Sequence, residues 1–369
     1  METSAVTTQS SDDSPAATTY AAAGVDIAAG EEAVDKLRPF AARANRPEVL
    51  GGIGGFAGLF ELRLDRWSEP VLASSTDGVG TKIAVAQALD IHDTIGIDLV
   101  AMVVDDLVVC GAEPLFLQDY IAVGKVVPDR IAMLVKGIAE GCVQSGCALL
   151  GGETAEHPGL MNGSDYDLSA TGVGVVEAQG ILGPERVSPG DVVIAMGSSG
   201  LHSNGYSLAR QVLLEIARMP LSGHVEEFGR TLGEELLEPT RIYAKDCLAL
   251  VAETDVRTFA HITGGGLAAN LARVLPPGLT AQIDRGTWTP APVFALMAQR
   301  GRIDRAEMEK TFNMGVGMVA VIAEEDSDRA LAMLTARHIP AWVLGEVKPT
   351  KDVTDEDVRV VMRGNHPRF

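Results

Sequence analysis

Apolar positions along the chain switch repeatedly between helical and strand spacing. Ile131, Leu134, Val135, Ile138, Cys142 and Val143 recur three and four residues apart, with Pro128 before them and Gly146 after. That spacing predicts an amphipathic helix opened by proline and stopped by glycine. Cys147–Leu150 reads as a strand that ends in Gly151-Gly152-Glu153-Thr154. Val71–Ser75, Ala170–Val176, Val192–Met196 and Gly315–Ala323 give the same short apolar signal. Helices are predicted around Glu31–Ala44, over 83–89, through Leu208, Val212, Leu213 and Ile216, through Tyr243, Cys247, Leu250 and Val251, and over Leu267–Val274 and Ser327–His338. The run Ile95–Val109 stays open. It fits a helix with Val103, Leu107 and Cys110 on one face, or a buried strand, and periodicity alone does not choose.

Strict strand–helix alternation is absent, which favours an α+β architecture. The segment Ile181–Asp191 is rich in turns, with Gly183-Pro184 and Ser188-Pro189-Gly190, and a domain boundary is placed there. The expected division is a tail over 1–19, a first domain over 20–180, a second over 181–350 and a C-terminal tail over 351–369. A length of 369 residues agrees with two domains, and a hydrophobic fraction of 46% supplies their cores.

Charge narrows the partners. The formal net charge is −20, so nothing suggests a basic face for nucleic acid. A nucleotide remains compatible, because backbone N–H groups and a cation can supply positive charge. The four cysteines form no C-x-x-C pair and read as buried thiols of a reducing cytosol. The first nineteen residues lack a signal-peptide pattern. Asp98, Asp105 and Asp106 interrupt the longest apolar run, which therefore does not suit a membrane. A soluble, cytoplasmic protein is expected.

No Walker A or G-x-G-x-x-G pattern is present, so phosphate must be held by another device. Four features are candidates. Gly51–Gly58, including Gly54 and Gly55, has five glycines in eight positions and is either an anion nest or a tight turn. Asp77-Gly78-Val79-Gly80-Thr81-Lys82 offers a carboxylate for Mg²⁺, bare backbone for phosphate and a lysine for its charge, or else an ordinary turn. Asp98, Asp105 and Asp106 need partners within apolar surroundings: a divalent cation, a helix N-terminus or an arginine. The adjacent pair cannot face one way, so one is expected at the metal and one elsewhere, and Glu153 could join the set. His202-Ser203-Asn204-Gly205 stands at a helix start, where Ser203 or Asn204 could cap the helix and His202 could move a proton or touch substrate.

Several longer blocks resemble one enzyme family. They are Thr76–Lys82, Asp93–Met102, Gly111–Phe116, Gly151–Glu156, Gly197–Ser207 and Thr263–Gly266. Together they are similar to phosphoribosylformylglycinamidine cyclo-ligase (aminoimidazole ribonucleotide synthetase), from Tyr20 to about Leu344. The resemblance implies a two-domain α+β subunit whose N-terminal domains pair across a homodimer into a β-barrel-like core, followed by a C-terminal α/β domain. It implies that ATP and formylglycinamidine ribonucleotide are consumed and that ADP, phosphate and aminoimidazole ribonucleotide are released. Asp106 is then a metal or ATP-site acid and His202 an active-site residue.

The chain departs from the family pattern where Asp105 replaces a frequent Asn and Arg38 a frequent Lys. On this reading Asp77 and Asp106 hold Mg²⁺. Gly54, Gly55, Gly78, Gly80, Thr81, Asp98 and Glu153 surround ATP, and Lys82 offsets developing charge. Ser203, Asn204, Gly264 and Gly265 meet the ribonucleotide. Two other readings stay open: a small-molecule kinase of the wider ATP-binding superfamily, and a nucleotide-binding scaffold without turnover.

Overall fold

The computed structural model describes residues 19–20, 22–52, 54–354 and 358–369, so the expected tail lies outside the described residues up to position 18. The first half opens with helix α1 (Ile27–Arg43), capped by Asp26, whose side chain accepts from Ala29 N. Strands β1 (Val49–Leu50) and β2 (Leu59–Phe60) pair across the glycine-rich loop. They are followed by β3 (Pro70–Gly78), α2 (Ile83–Leu89), α3 (Ile95–Val108), β4 (Glu113–Val123), α4 (Pro128–Ser145), β5 (Ala148–Glu156) and β6 (Tyr166–Glu177). The sheet order is β3-β6-β4-β5. Only β4 and β5 run parallel.

The ambiguous run 95–109 is helix α3. Twelve of its residues are buried, so no polar stripe marks its period. Helices α3 and α4 approach closely because glycines line their contact. A Cβ on Gly96 would meet Ile138 N at 2.2 Å, and one on Gly141 would meet Val100 Cβ at 2.7 Å. On its other side α3 lies on the sheet, where a Cβ on Gly172 would meet Val103 Cγ1 at 2.6 Å.

One expected turn is partly strand, and one strand runs on past its expected end. Thr76, Asp77 and Gly78 continue β3, and the break falls at Gly80 (φ 72°), followed by one 3₁₀ turn over Gly80–Lys82. Gly151–Thr154 continue β5, held by pairing with β4 through Gln118↔Gly151 and Tyr120↔Glu153. Glycine weakened the strand signal at both places, and ladder pairing overrode it.

The second half contains β7 (Val192–Gly197), α5 (Tyr206–Arg210), a π-helical turn over 211–216, β8 (His224–Val225), β9 (Arg230–Thr231), α6 (Leu232–Leu236), α7 (Ala244–Glu253), β10 (Val256–His261) and α8 (Gly266–Arg273). Then come β11 (Leu279–Asp284), α9 (Pro292–Gly301), α10 (Arg305–Thr311), β12 (Val316–Ile322), α11 (Ser327–Ala336), β13 (Ala341–Pro349) and β14 (Val360–Arg363). The six-stranded order is β10-β12-β7-β13-β11-β14. Its ladders are antiparallel except β11 with β14, so the half is α+β rather than an alternating α/β unit. Both faces of β12 are covered, which explains its unbroken apolar run.

The expected C-terminal tail is partly sheet. Thr280 Oγ1 and Ala281 N donate to the carbonyls of Val358 (2.6 Å) and Arg359 (2.8 Å), which adds β14 at the sheet edge. Among the described residues both larger sheets are open, so the chain closes no barrel on its own. One hydrophobic core joins the halves, from Leu99 and Val103 of α3 to Tyr243 and Met318. No helix of the described residues is long and apolar enough to cross a membrane.

Candidate active site

All three carboxylates of α3 reach into the second half. Asp98 and Asp105 are seven residues apart, two helical turns, so they share a face. Asp98 Oδ1 meets Lys82 Nζ at 2.7 Å and accepts from Thr240 N (2.8 Å), Thr240 Oγ1 (2.6 Å) and Ser203 Oγ (3.2 Å). Asp105 Oδ1 accepts from Tyr243 N at 2.9 Å, and both residues are fully buried. Asp106 lies about 100° further round the helix. Its side chain is 47% exposed, and its Oδ1 pairs with His261 Nδ1 at 2.8 Å. The adjacent pair therefore splits as its geometry requires, Asp105 inward and Asp106 outward.

Asp77 stands near Asp106 at the end of β3. Burial pushes its carboxyl above the usual range, the Gly78 N–H opposes that, and the charge of Asp106 adds to it. Burial also raises Asp105, to about 7, with His261 and the Tyr243 N–H pulling the other way. Burial works against protonation of His261, yet the Asp106 hydrogen bond and the charges of Asp105, Asp106 and Asp77 outweigh it and raise its pKa. His261 is thus the histidine of this cluster. The sequence signalled it only as a strand end before three glycines.

Two expected catalytic residues sit in the interior. Lys82 is unexposed, and its ammonium donates to Asp98, the Glu238 carbonyl (2.6 Å) and the His202 carbonyl (3.3 Å). Its three donors are used, which leaves none for phosphate. His202 is 1% exposed, with φ 62°. Its Nε2 accepts from Ser199 N at 3.2 Å, its Nδ1 is buried without a partner among the described residues, and burial drives its pKa well down. It is a neutral ring packed under the Gly197–Gly200 turn.

Ser203 is also enclosed, between Asp98 and Thr240. The helix cap expected from Ser203 or Asn204 is Gly205, at φ 76°, with no side-chain bond. Asn204 instead accepts from Gly264 N at 3.1 Å, so these two expected ribonucleotide contacts do meet. The Gly264–Gly266 turn is pinned by Asn270 Nδ2, which donates to the carbonyls of Thr263, Gly264 and Gly266. Gly265 takes φ 96° at the start of α8, with Gly264 exposed beside it.

Other expected residues gather elsewhere. Thr81 is exposed, with Oγ1 3.1 Å from Ser207 Oγ, while Gly54 and Gly55 are exposed, Gly54 near Arg38. A cavity of ≈ 680 Å³ lies under α1, lined among others by Arg38, Asp119, Ile121, Leu149, Gly152 and Glu153. Asp119, unsuspected from the sequence, has its carboxyl pushed up to about 7 by burial. Strand register aligns Asp77, Ala170, Asp119 and Gly152 in one rank across the sheet. Asp77 and the Glu153 cavity therefore occupy opposite edges, three strand spacings or about 14 Å apart.

Among the described residues no group of three or more His, Cys, Asp or Glu side chains could hold a metal alone. The pair Asp77 and Asp106 offers hard oxygen donors, one half-exposed. That suits a magnesium ion, which usually keeps waters and phosphate oxygens beside one or two carboxylates.

Comparison with known proteins adds a second line. Residues 58–176 match the AIR synthase related protein N-terminal domain, and residues 188–357 match its C-terminal domain. Three similar relatives bear the name phosphoribosylformylglycinamidine cyclo-ligase. The one from Anaeromyxobacter dehalogenans is 55% identical over 89% of this chain and 95% of its own. That from Myxococcus xanthus is 52% identical (90% and 96%), and that from Geobacillus kaustophilus 50% (89% and 95%). Among solved structures, thiamine-monophosphate kinase from Stenotrophomonas maltophilia K279a matches with a TM-score of 0.67 at 19% identity, covering 91% of this chain and 97% of that one. Hydrogenase maturation protein HypE in complex with ATP matches at 0.62 and 19%, covering 90% of each. At these identities the structures share the fold alone.

Proposed function

The chain belongs to the phosphoribosylformylglycinamidine cyclo-ligase family, and from that membership we propose how its site divides the work. It is an ATP-dependent cyclo-ligase of purine biosynthesis that closes formylglycinamidine ribonucleotide to aminoimidazole ribonucleotide. Likeness over nine-tenths of the chain to relatives of that name carries the activity. Which residues perform it, and through what intermediate, is our reading.

The chemical difficulty is an amide oxygen that must leave. That oxygen attacks the γ-phosphorus of ATP and ADP departs. A nitrogen of the amidine then attacks the same carbon, the C–O bond breaks with its electrons going to phosphate, and a proton is released. Little covalent work falls to the protein, which must align the reactants and balance charge.

Asp77 and Asp106 hold the cation side of the triphosphate. Magnesium, when bound there, supplies charge neutralisation. Gly80, exposed at φ 72° just beyond the end of β3, leaves open backbone for a phosphate to approach, while Gly78 gives its N–H to Asp77. Asn204 and the Gly264–Gly265 turn form the ribonucleotide side, with Asn270 fixing the turn from below. Lys82 and His202 support the site from within. Lys82 locks Asp98 under it, and His202 holds the Gly197–Gly200 turn.

The functional unit is a homodimer. The sheet face turned away from α3 exposes Leu72 (61%) and Tyr120 (41%), and among the described residues β3 and β5 are free edges. A second copy on this face would cover that apolar surface and could complete a barrel. Cytoplasmic residence agrees with thiols that are all free among the described residues.

Product analysis tests the activity. With formylglycinamidine ribonucleotide and ATP–Mg²⁺, one aminoimidazole ribonucleotide and one free phosphate should form per ADP. A stable phosphorylated product would favour a kinase, and ATP-induced thermal stabilisation without ADP would favour a scaffold.

A further inference from the structure

Asp106 is the α3 carboxylate that opens to solvent, and its one hydrogen bond among the described residues is to His261. The imidazole is 2% exposed and the carboxylate 47%. A half-exposed aspartate without a partner samples several rotamers, and a charge-assisted bond from a fixed donor selects one. The donor here is fixed. His261 ends β10, pairs with Met318 of β12, and is followed by Ile262, whose N–H donates to Gly317 O at 2.9 Å. Nδ1 faces Asp106, while Nε2 is buried with no partner among the described residues.

We infer that His261 is the positioning residue for Asp106: its Nδ1–H holds one carboxylate oxygen so that the other faces the cation and triphosphate. This rests on the role given to Asp106 above. It also makes the site a junction. The carboxylate belongs to α3 of the first half, and the group that orients it belongs to the second, 155 residues away in the chain. A histidine with both ring nitrogens sheltered and one on a carboxylate is the arrangement in which a neighbouring residue governs a ligand's geometry.

The test is Mn²⁺ binding, read by the electron paramagnetic resonance of free Mn²⁺, with β,γ-methylene-ATP and no ribonucleotide. In His261→Asn the amide nitrogen replaces Nδ1, and affinity should stay within about threefold of wild type. His261→Leu removes the donor and His261→Gln moves it one bond outward. Each should weaken Mn²⁺ binding by about 10- to 100-fold. The Gln variant keeps the test decisive if the Leu variant does not fold.

Wild-type affinity in the Gln variant, or in a folded Leu variant, overturns the inference. So does a loss in the Asn variant as large as that in the Gln variant. Asp106→Asn separates the two levels. If it loses Mn²⁺ while the Leu and Gln variants keep it, only the positioning role falls. If it binds Mn²⁺ like wild type, the cation assignment falls and the positioning role with it.

Discussion

Lys82 Nζ lies 2.7 Å from Asp98 Oδ1, and neither side chain is exposed. A lysine read from the sequence as a phosphate contact is thus half of a buried ion pair between the α2 entry and α3. Breaking such a pair strands a charge, at a cost of about 3–5 kcal/mol. Lys82→Met should lose stability of that order in urea unfolding. Adding Asp98→Leu should recover only part, because Thr240 and Ser203 would lose their acceptor. Wild-type stability with weakened ATP binding would restore the phosphate role.

Asp105 predicts a pH dependence. Its folded carboxyl is raised from an ordinary 3.8 to about 7. Between those values the folded state binds more protons than the unfolded one, so stability falls as pH rises through that window. His261 is also raised, and its contribution is likewise lost as pH rises through its folded pKa. Asp105→Asn removes the first effect. Its melting temperature relative to wild type should climb between pH 5 and pH 8, by calorimetry. A difference that stays constant across that range would rule out the buried-carboxyl account.

The glycine turn separates shape from function. Gly266 has φ 71°, and a Cβ there would meet Glu309 O at 1.7 Å. Gly266→Ala should therefore destabilise the fold by at least about 1–3 kcal/mol. At Gly264 the nearest atom is Asn204 Oδ1 at 3.7 Å, so alanine fits. Gly264→Ala should leave the melting temperature nearly unchanged and raise KM for the ribonucleotide about tenfold, with KM for ATP little altered. An unchanged ribonucleotide KM would move the substrate away from this turn.

Leu72 and Tyr120 test the dimer. Light scattering should give wild-type protein twice the chain mass. Leu72→Glu combined with Tyr120→Glu should shift it toward one chain mass at micromolar concentration. A monomeric wild type, or a dimeric double variant, would place the contact elsewhere or nowhere.

Local signals were the legible ones. Pro128 and Gly146 bound α4 correctly because proline at the start and glycine in the left-handed region (φ 81°) act through the backbone itself. Helix α3 was ambiguous because both its sides are buried, so period and polarity no longer coincide. The carboxylates were visible, but their partners were not. The seven-residue spacing places Asp98 and Asp105 on one helix face, yet only the fold shows that this face meets Thr240 and Tyr243. His261 and Asp119 escaped for the same reason, since each gains meaning from strands or helices distant in sequence. Strand β14 depends on pairing with β11 about 80 residues away, which four residues of sequence do not announce.

The most direct measurement is substrate-dependent ADP release by Asp106→Asn, with Asp77→Asn and the double variant beside it. Asp106 is half-exposed with one hydrogen bond, so its amide should fold normally. Each single change should lower kcat by about 10²-fold or more, and the double change should fall well short of the product, as for groups that act as one unit. Turnover by Asp106→Asn at the wild-type rate would contradict the account.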